Sequence, residues 1–384
     1  MNSVTKKIIL MHCQYVYGIG HFIRTLEIAK SLSSEYRVII LNGGNPIENM
    51  IIPPEIELVQ LPAIHKKEDS NQLIPLNCDL SIDDCFNLRR EIIVNILQRI
   101  NIDVLVTEHF PFGFLFKEEV LFLIKLLKEI NPNCKFVSSV RDLVNSYDGS
   151  ETDELTCEIL NSYYDLLMIH SDKNVIPFET SFPKFKDIKI SIKYTGYVTR
   201  KIITKNSKNF QLEDIALVSV GGGSMGEELQ KAIIKVHLEL KKNWNHKLIV
   251  FLGSYQNIEL ESLPASIVIH KFDQSAYDVY LRKAKLLICM GGYNTVLEAI
   301  SLNLPLLVYQ KAFSQNNFEQ ACRINELQKI GLVHSLYPNE LQHSTLISKI
   351  LTILKLGKNQ KSMNFNGAEN TKQAISLLIN SQYK

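Results

Sequence analysis

With 384 residues the chain exceeds what one hydrophobic core ordinarily organises, so two domains are expected. Hydrophobic residues make up 46% and charged ones 21%, which excludes a disordered chain, and a formal charge of +2 excludes the basic surface of a nucleic-acid binder. Seven cysteines (13, 78, 85, 134, 157, 289, 322) form no Cys-x-x-Cys pair, which argues against a zinc ribbon or disulfide scaffold and for a reducing cytosol.

Residues 7–11 form an apolar run that predicts a strand, too short for a signal peptide's apolar region. No later run reaches the ~18 apolar residues of a membrane span, so a cytoplasmic protein with at most peripheral contact to the inner membrane face is expected. After the strand come Gly18 and Gly20, then His21 at the first turn of a helix whose stripe is Phe22, Leu26, Ala29 and Leu32. Further strands are predicted at 35–41 and 56–61, with a mobile loop around 65–77. A helix over 82–100 precedes a strand at 103–107 that leads into Glu108 and His109. A helix over 117–130 precedes a strand at 135–139 that leads into Arg141 and Asp142. Strands at 166–169 and 190–195 close the first half, and the Lys-rich stretch 201–211 reads as a linker surface.

The second half predicts strands at 215–220, 247–252, 267–270, 286–290 and 304–309 with helices between them. Cys134 and Cys289 lie in such apolar runs and read as core filler. The alternation predicts an α/β fold of two doubly wound, Rossmann-like domains facing a central cleft. The expected limits are 1–196, 197–366 and a last helix, 367–384, returning to the first domain.

Two glycine turns carry the chemistry of the second half. Gly221-Gly-Gly-Ser-Met-Gly226 follows a strand and opens a helix, but lacks the Gly-Lys-Ser/Thr of a Walker sequence. Gly222, Gly223 and Ser224 can still donate hydrogen bonds to a diphosphate. Gly291 and Gly292 stand at a second strand-to-helix turn, where backbone N–H groups and the helix dipole favour phosphate. Glu298 lies one helical turn beyond Asn294 and can grip ribose hydroxyls, or else is a solvated helix carboxylate. Glu319 and Gln320 follow a polar loop and either reach sugar hydroxyls or cap the next helix; Phe272 either stacks on a base or fills core. In the first half His21 is a candidate base for an acceptor hydroxyl, with Glu108, Arg141 and Asp142 as rival or supporting groups. Neither a metal-ligand cluster nor a Ser-His-Asp elbow is visible, so the chemistry needs no metal.

Gly18-Ile-Gly-His-Phe-Ile-Arg24, Phe110-Pro-Phe-Gly113, Ser139-Val-Arg-Asp142, Gly196-Tyr-Val198, Gly221-Gly-Gly-Ser224, Gly291-Gly-Tyr-Asn-Thr295 with Glu298, and Glu319-Gln320 follow one another in a familiar order. On these motifs the whole chain resembles the GT-B glycosyltransferases of the family 28 type. The resemblance implies an inverting, metal-independent hexosyltransferase without a cofactor, whose co-substrate is a nucleoside-diphosphate sugar, UDP-linked by preference. It places Gly20, Gly222, Gly223, Ser224, Phe272, Gly291, Gly292, Asn294, Thr295, Glu298, Glu319 and Gln320 on the donor. It puts His21, Glu108 and Asp142 at the transfer point and His109 and Arg141 on the acceptor side, the acceptor being a small molecule, glycan or lipid-linked sugar. Two departures fall in the acceptor half: Tyr17-Gly-Ile-Gly-His replaces Gly-Gly-x-Gly-Gly-His, and Phe114 stands where arginine is expected. A nucleotide-sugar 2-epimerase and a non-catalytic nucleotide-sugar binder are the alternative readings of the same architecture.

Overall fold

The computed structural model describes residues 6–16, 18–47, 50–67, 72–77, 79–144, 151–202, 214–220, 226–253, 263–271, 273–311, 318–357 and 363–381. The chain divides into two compact units, residues 1–200 with 364–384, and residues 201–363.

In the first unit, strands β1 (Ile8–Cys13), β2 (Arg37–Asn42) and β3 (Ile56–Gln60) alternate with helix α1 (Gly20–Leu32) and a short ribbon, β4 (Ile64–Lys66) with β5 (Leu73–Pro75). Then follow α2 (Ile82–Arg99), β6 (Val104–Glu108), α3 (Lys117–Ile130), β7 (Lys135–Arg141), α4 (Glu151–Tyr163), β8 (Leu166–His170) and β9 (Ser191–Tyr194). Seven of these strands form one parallel sheet in the order β3-β2-β1-β6-β7-β8-β9. Parallel strands covered by helices on both faces must be apolar throughout, and β6 and β8 are buried at every residue. The polar ends of those two strands, Glu108 and His170, are therefore buried with them.

The stretch expected as a mobile loop, 65–77, instead contains the antiparallel β4–β5 ribbon, pairing Ile64 with Pro75. Ile64 is fully buried against Cys85 and Phe116, and this apolar anchor holds the ribbon down. Helix α4 was not visible to pattern reading, because three acidic residues in its first turn mask its buried face of Thr156, Cys157, Ile159 and Leu160. Cys134 is buried in the core of this unit.

The second unit repeats the plan with β10 (Asp214–Ser219), α5 (Glu227–Asn243), β11 (His246–Leu252), β12 (Ile267–Lys271), α6 (Gln274–Lys283), β13 (Ala284–Met290), α7 (Tyr293–Ser301), β14 (Leu306–Tyr309), α8 (Phe318–Lys329), β15 (His334–Leu336) and α9 (His343–Leu356). Its sheet runs β12-β11-β10-β13-β14-β15, all parallel. Cys289 is fully buried here, as core filler. The stretch read as a linker falls mostly on residues 203–213, outside the described residues.

The last helix, α10 (Gly367–Asn380), belongs to the first unit and packs on α1. Ala374, Ile375 and Ile379 enter the core beside Ala29 and Leu32, each isoleucine contributing about 1.5–3 kcal/mol by burial. Asn370 Nδ2 donates to the Thr195 carbonyl at 2.7 Å. Gly367 is required there, because a Cβ would stand 2.6 Å from the backbone of Gly196 and Tyr197.

Candidate active site

In both sheets the strand order reverses once, between β1 and β6 in the first unit and between β10 and β13 in the second. Ligands of open α/β sheets bind outside the carboxyl ends of the strands at such points. Several of the described candidate residues lie at these two places.

At the first, α1 begins just beyond β1 and presents His21 in its opening turn, while Glu108 closes β6. His21 Nδ1 and Glu108 Oε1 are 2.9 Å apart. A carboxylate at that distance requires a proton on Nδ1, so the Nδ1–H donates to Glu108 and Nε2 carries the lone pair. Arg24, one turn along α1, donates through Nη2 to the same Glu108 oxygen and lies 3.2 Å from His21 Nδ1. On its other oxygen Glu108 accepts from Ser139 Oγ at 3.0 Å.

Burial pushes the Glu108 carboxyl up, but the Arg24 guanidinium and the bond from His21 more than offset this and hold it far below the usual carboxylate range. Glu108 is therefore a permanent anion and a poor base. Burial pushes His21 down, against the bond to Glu108, so its imidazole is neutral at pH 7. A neutral imidazole with Nε2 unprotonated and a fixed anion behind it is the arrangement of a general base.

His109 lies beside His21 with ring centroids 5.1 Å apart and the ring planes tilted by 55°, and burial followed by the nearby His21 pushes its own titration well down. Its backbone sits at φ 69°, a left-handed conformation that costs a histidine about 1 kcal/mol or more. Gly113 leaves space for its ring, since a Cβ there would come 2.9 Å from His109 Cδ2. Arg141 is half-buried at the end of β7. Asp142 is fully buried and accepts from the Leu143 N–H at 3.0 Å, the bonding of a turn carboxylate. Gly20 is half-buried and opens α1.

At the second reversal, Gly226 precedes α5 at φ 109°, where a Cβ would meet the Val220 side chain, so this position needs glycine. Gly222, Gly223, Ser224 and Phe272 lie outside the described residues. The turn after β13 divides its two glycines by role. Gly291 is buried, and a Cβ there would strike the Ile324 side chain of α8; it is glycine for packing. Around Gly292 an added Cβ would meet nothing within 4 Å, and Gly292 is the N-cap of α7. The first turn of a helix leaves N–H groups without intrahelical partners, and Asn294 and Thr295 are half-buried there.

Glu298 is only 4% exposed and is not a solvated helix carboxylate. Glu319 is 7% exposed in the first turn of α8, with Gln320 half-buried beside it. Sequence reasoning missed Arg323, 1% exposed, whose guanidinium lies 5.2 Å from the Tyr293 ring centroid. Among the described residues no group of three or more His, Cys, Asp or Glu could hold a metal ion, and no helix is long and apolar enough to cross a membrane.

A second buried network in the first unit also escaped the sequence. Arg89, fully buried, donates to both Glu119 oxygens (2.6 and 2.7 Å), to the carbonyls of Gly43 (3.1 Å) and Pro62 (2.8 Å), and to Gln14 Oε1 (2.7 Å). His12 Nε2 lies 2.8 Å from Glu119 Oε1. Burial raises the Glu119 carboxyl, but Arg89 and His12 bring it down to about 2. One guanidinium thereby ties together the segments that follow β1, β2 and β3.

Residues 217–378 match the family model described as the glycosyltransferase family 28 C-terminal domain. A UDP-N-acetylglucosamine--N-acetylmuramyl-(pentapeptide) pyrophosphoryl-undecaprenol N-acetylglucosamine transferase of Clostridium botulinum is 27% identical over 217 residues, 54% of this chain and 58% of that protein. The chain thus aligns with rather more than half the length of this relative. Among solved structures, MurG of Acinetobacter baumannii superposes over 99% of this chain and 100% of its own, at TM-score 0.54 and 15% identity. A UDP-glucosyltransferase from Polygonum tinctorium capable of glucosylating indoxyl superposes over 98% and 99%, at TM-score 0.61 and 11% identity. The chain has the GT-B fold and resembles the glycosyltransferases of family 28.

Proposed function

We infer from a GT-B chain whose residues 217–378 match the family 28 C-terminal domain that the protein is a glycosyltransferase. It moves a sugar from a nucleoside-diphosphate sugar to an acceptor hydroxyl. A UDP carrier is favoured, since two of the relatives carry UDP in their names. The observation that carries the catalytic reading is the 2.9 Å bond from His21 to an ionised Glu108, which leaves His21 Nε2 free to accept a proton.

In the reaction the acceptor O–H gives its proton to His21 Nε2 while its oxygen attacks the anomeric carbon. The bond from that carbon to the diphosphate oxygen breaks, and the diphosphate leaves with the electron pair. A single displacement of this kind inverts the anomeric centre. Glu108 stabilises the imidazolium that forms, and the proton then passes to solvent. Backbone N–H groups in the first turn of α7, just beyond Gly292, and the dipole of that helix, with the N–H groups of Gly223 and Ser224, offset the charge on the leaving diphosphate. Glu298 holds the ribose, and Glu319 and Gln320 hold the transferred sugar. The reading routes no step through a metal or cofactor. The acceptor is a small molecule, a glycan or a lipid-linked sugar, reached from the cytoplasm or by peripheral contact with a membrane.

A thermal-shift screen of UDP-, dTDP- and GDP-sugars identifies the donor. With that donor, His21→Ala should lower turnover about 10²–10⁴-fold while donor affinity stays nearly unchanged. A near-normal rate overturns the assignment of the base. Glu298→Ala should weaken donor binding about tenfold or more, the loss of a charge-assisted hydrogen bond, and unchanged affinity overturns the ribose role. Incubation without any acceptor should leave the sugar's configuration unaltered; its epimerisation would point to a 2-epimerase instead.

A further inference from the structure

Hydrogen bonding does not stop at Glu108 but continues inward through the core of the first unit. Behind the Ser139–Glu108 bond, Ser139 Oγ lies 2.8 Å from His170 Nε2, and His170 Nδ1 lies 2.8 Å from Thr195 Oγ1. Ser139 is 1% exposed, and His170 and Thr195 are fully buried. Their neighbours Val137, Val140, Leu167, Met168 and Ile169 are the apolar residues a parallel sheet requires. A serine and a histidine in that setting cost free energy unless each polar atom is matched.

Counting donors fixes the direction of the chain. Glu108 is ionised and only accepts, so Ser139 gives it the single hydroxyl proton. Ser139 Oγ must then accept from His170, which sets the Nε2–H tautomer of that ring. His170 Nδ1 is left as an acceptor facing the Thr195 hydroxyl, whose single proton also has the carbonyls of Gly196 (3.1 Å) and Ile169 (3.4 Å) within reach. The Ser139 and His170 donors both point towards Glu108.

The remaining charged or titratable groups around Glu108 are Arg24 and His21 on α1, Cys13 at the end of β1, His109 beside it, and Arg141 on β7. His170 itself is pushed down to about 3, by burial and then by Arg24, so it acts as a neutral dipole.

We propose that Ser139 and His170 are positioning residues for the transfer reaction, holding the plane of the Glu108 carboxylate from behind so that His21 stays protonated on Nδ1 and free on Nε2. This rests on the reading of His21 as the base. Residues buried on two strands behind the reacting groups thereby control a proton transfer that they do not touch.

Histidine-selective ¹⁵N NMR titration of the full chain tests the proposal without any substrate. In the parent protein His170 should remain the neutral Nε2–H tautomer from pH 5 to 8. In Ser139→Ala the Glu108 carboxylate loses a donor and becomes more basic, so the His21 titration should move to higher pH. His170→Leu should move it the same way, whereas His170→Gln, whose amide can still donate to Ser139, should restore the parent value. With the donor identified, Ser139→Ala and His170→Leu should lower kcat about tenfold at unchanged donor KM. An unshifted His21 titration in folded Ser139→Ala overturns the proposal, whatever the folding of His170→Leu. The two readings fail separately. A near-normal His21→Ala overturns the base, while an inactive His21→Ala beside an unaffected Ser139→Ala overturns only the positioning role.

Discussion

The two strand-order reversals are built from opposite materials. In the first unit, charged and polar side chains interlock: His21, Arg24, Glu108 and Ser139 bond to one another before any substrate arrives. In the second, the described residues after β13 are Gly291 packed against Ile324, Gly292 with open space around it and the polar first turn of α7. On the proposed function, the difference follows from which partner brings the charge. A diphosphate arrives charged and needs only donors and a dipole to meet it. A neutral hydroxyl must be deprotonated during the reaction, so the charges that make this possible have to be set in advance.

Substitutions in each region can break this contrast. The largest effect is expected from Glu108→Gln, which keeps the shape but removes the anion facing Arg24 and His21. Turnover should fall about 10²-fold or more, and the first unit should lose about 3 kcal/mol in a denaturant titration, the cost of removing the anion from a buried ion pair. The acid limb of the rate profile should also move to lower pH, because the imidazolium loses its counter-charge. Unchanged stability would show that the pair is not the electrostatic lock described above.

The second unit offers a finer cut. Gly291→Ala should cost about 1–3 kcal/mol, read as a lowered melting temperature, because its Cβ meets Ile324. Gly292→Ala, at φ −62° and ψ 137°, should leave the melting temperature alone and weaken donor binding. Equal effects from both would erase the division between packing and ligand glycine.

The smallest effect concerns pH. His237 of α5 is bonded to His246 (3.2 Å) and Ser266 (2.8 Å), and burial pushes its titration down to about 4. The unfolded chain takes up that proton near pH 6.5, so below this value it binds more protons than the folded one. Stability of the second unit therefore falls as pH drops from about 6.5 towards 4. In His237→Asn the difference between melting temperatures at pH 7 and pH 5 should shrink. A difference as large as the parent's would remove His237 as its source.

The layers of this fold were legible because parallel strands, buried on both faces, appear as unbroken apolar runs, such as the one ending at Met290. Helix α4 and the short strand β15 were not, since acidic residues mask the first and a three-residue strand carries no period. The places of His21, Glu108 and Gly292 were legible because each lies at or just beyond a strand end, and that of Glu298 because it falls one helical turn beyond Asn294. Arg89 and Glu119 were not. Each reads as an ordinary charge on an amphipathic helix, and only the fold reveals that the two face each other in the core, with His12 contributed from 107 residues away. Ser139 and His170 share that obscurity, for a polar residue near the end of an apolar strand looks like the start of a loop.

The return of α10 to the first unit has a practical bearing on how such a protein can be recombined. The first unit is assembled from two separate segments, residues 1–200 and 364–384, whereas residues 201–363 form one uninterrupted insert. If residues 201–363 hold the donor as proposed, exchange of sugar-donor preference between relatives is a cassette problem, with seams near 200 and 364. A simple fusion at the midpoint would strand the apolar face of α10, with Ile375 and Ile379, away from the Ala29 and Leu32 surface it covers.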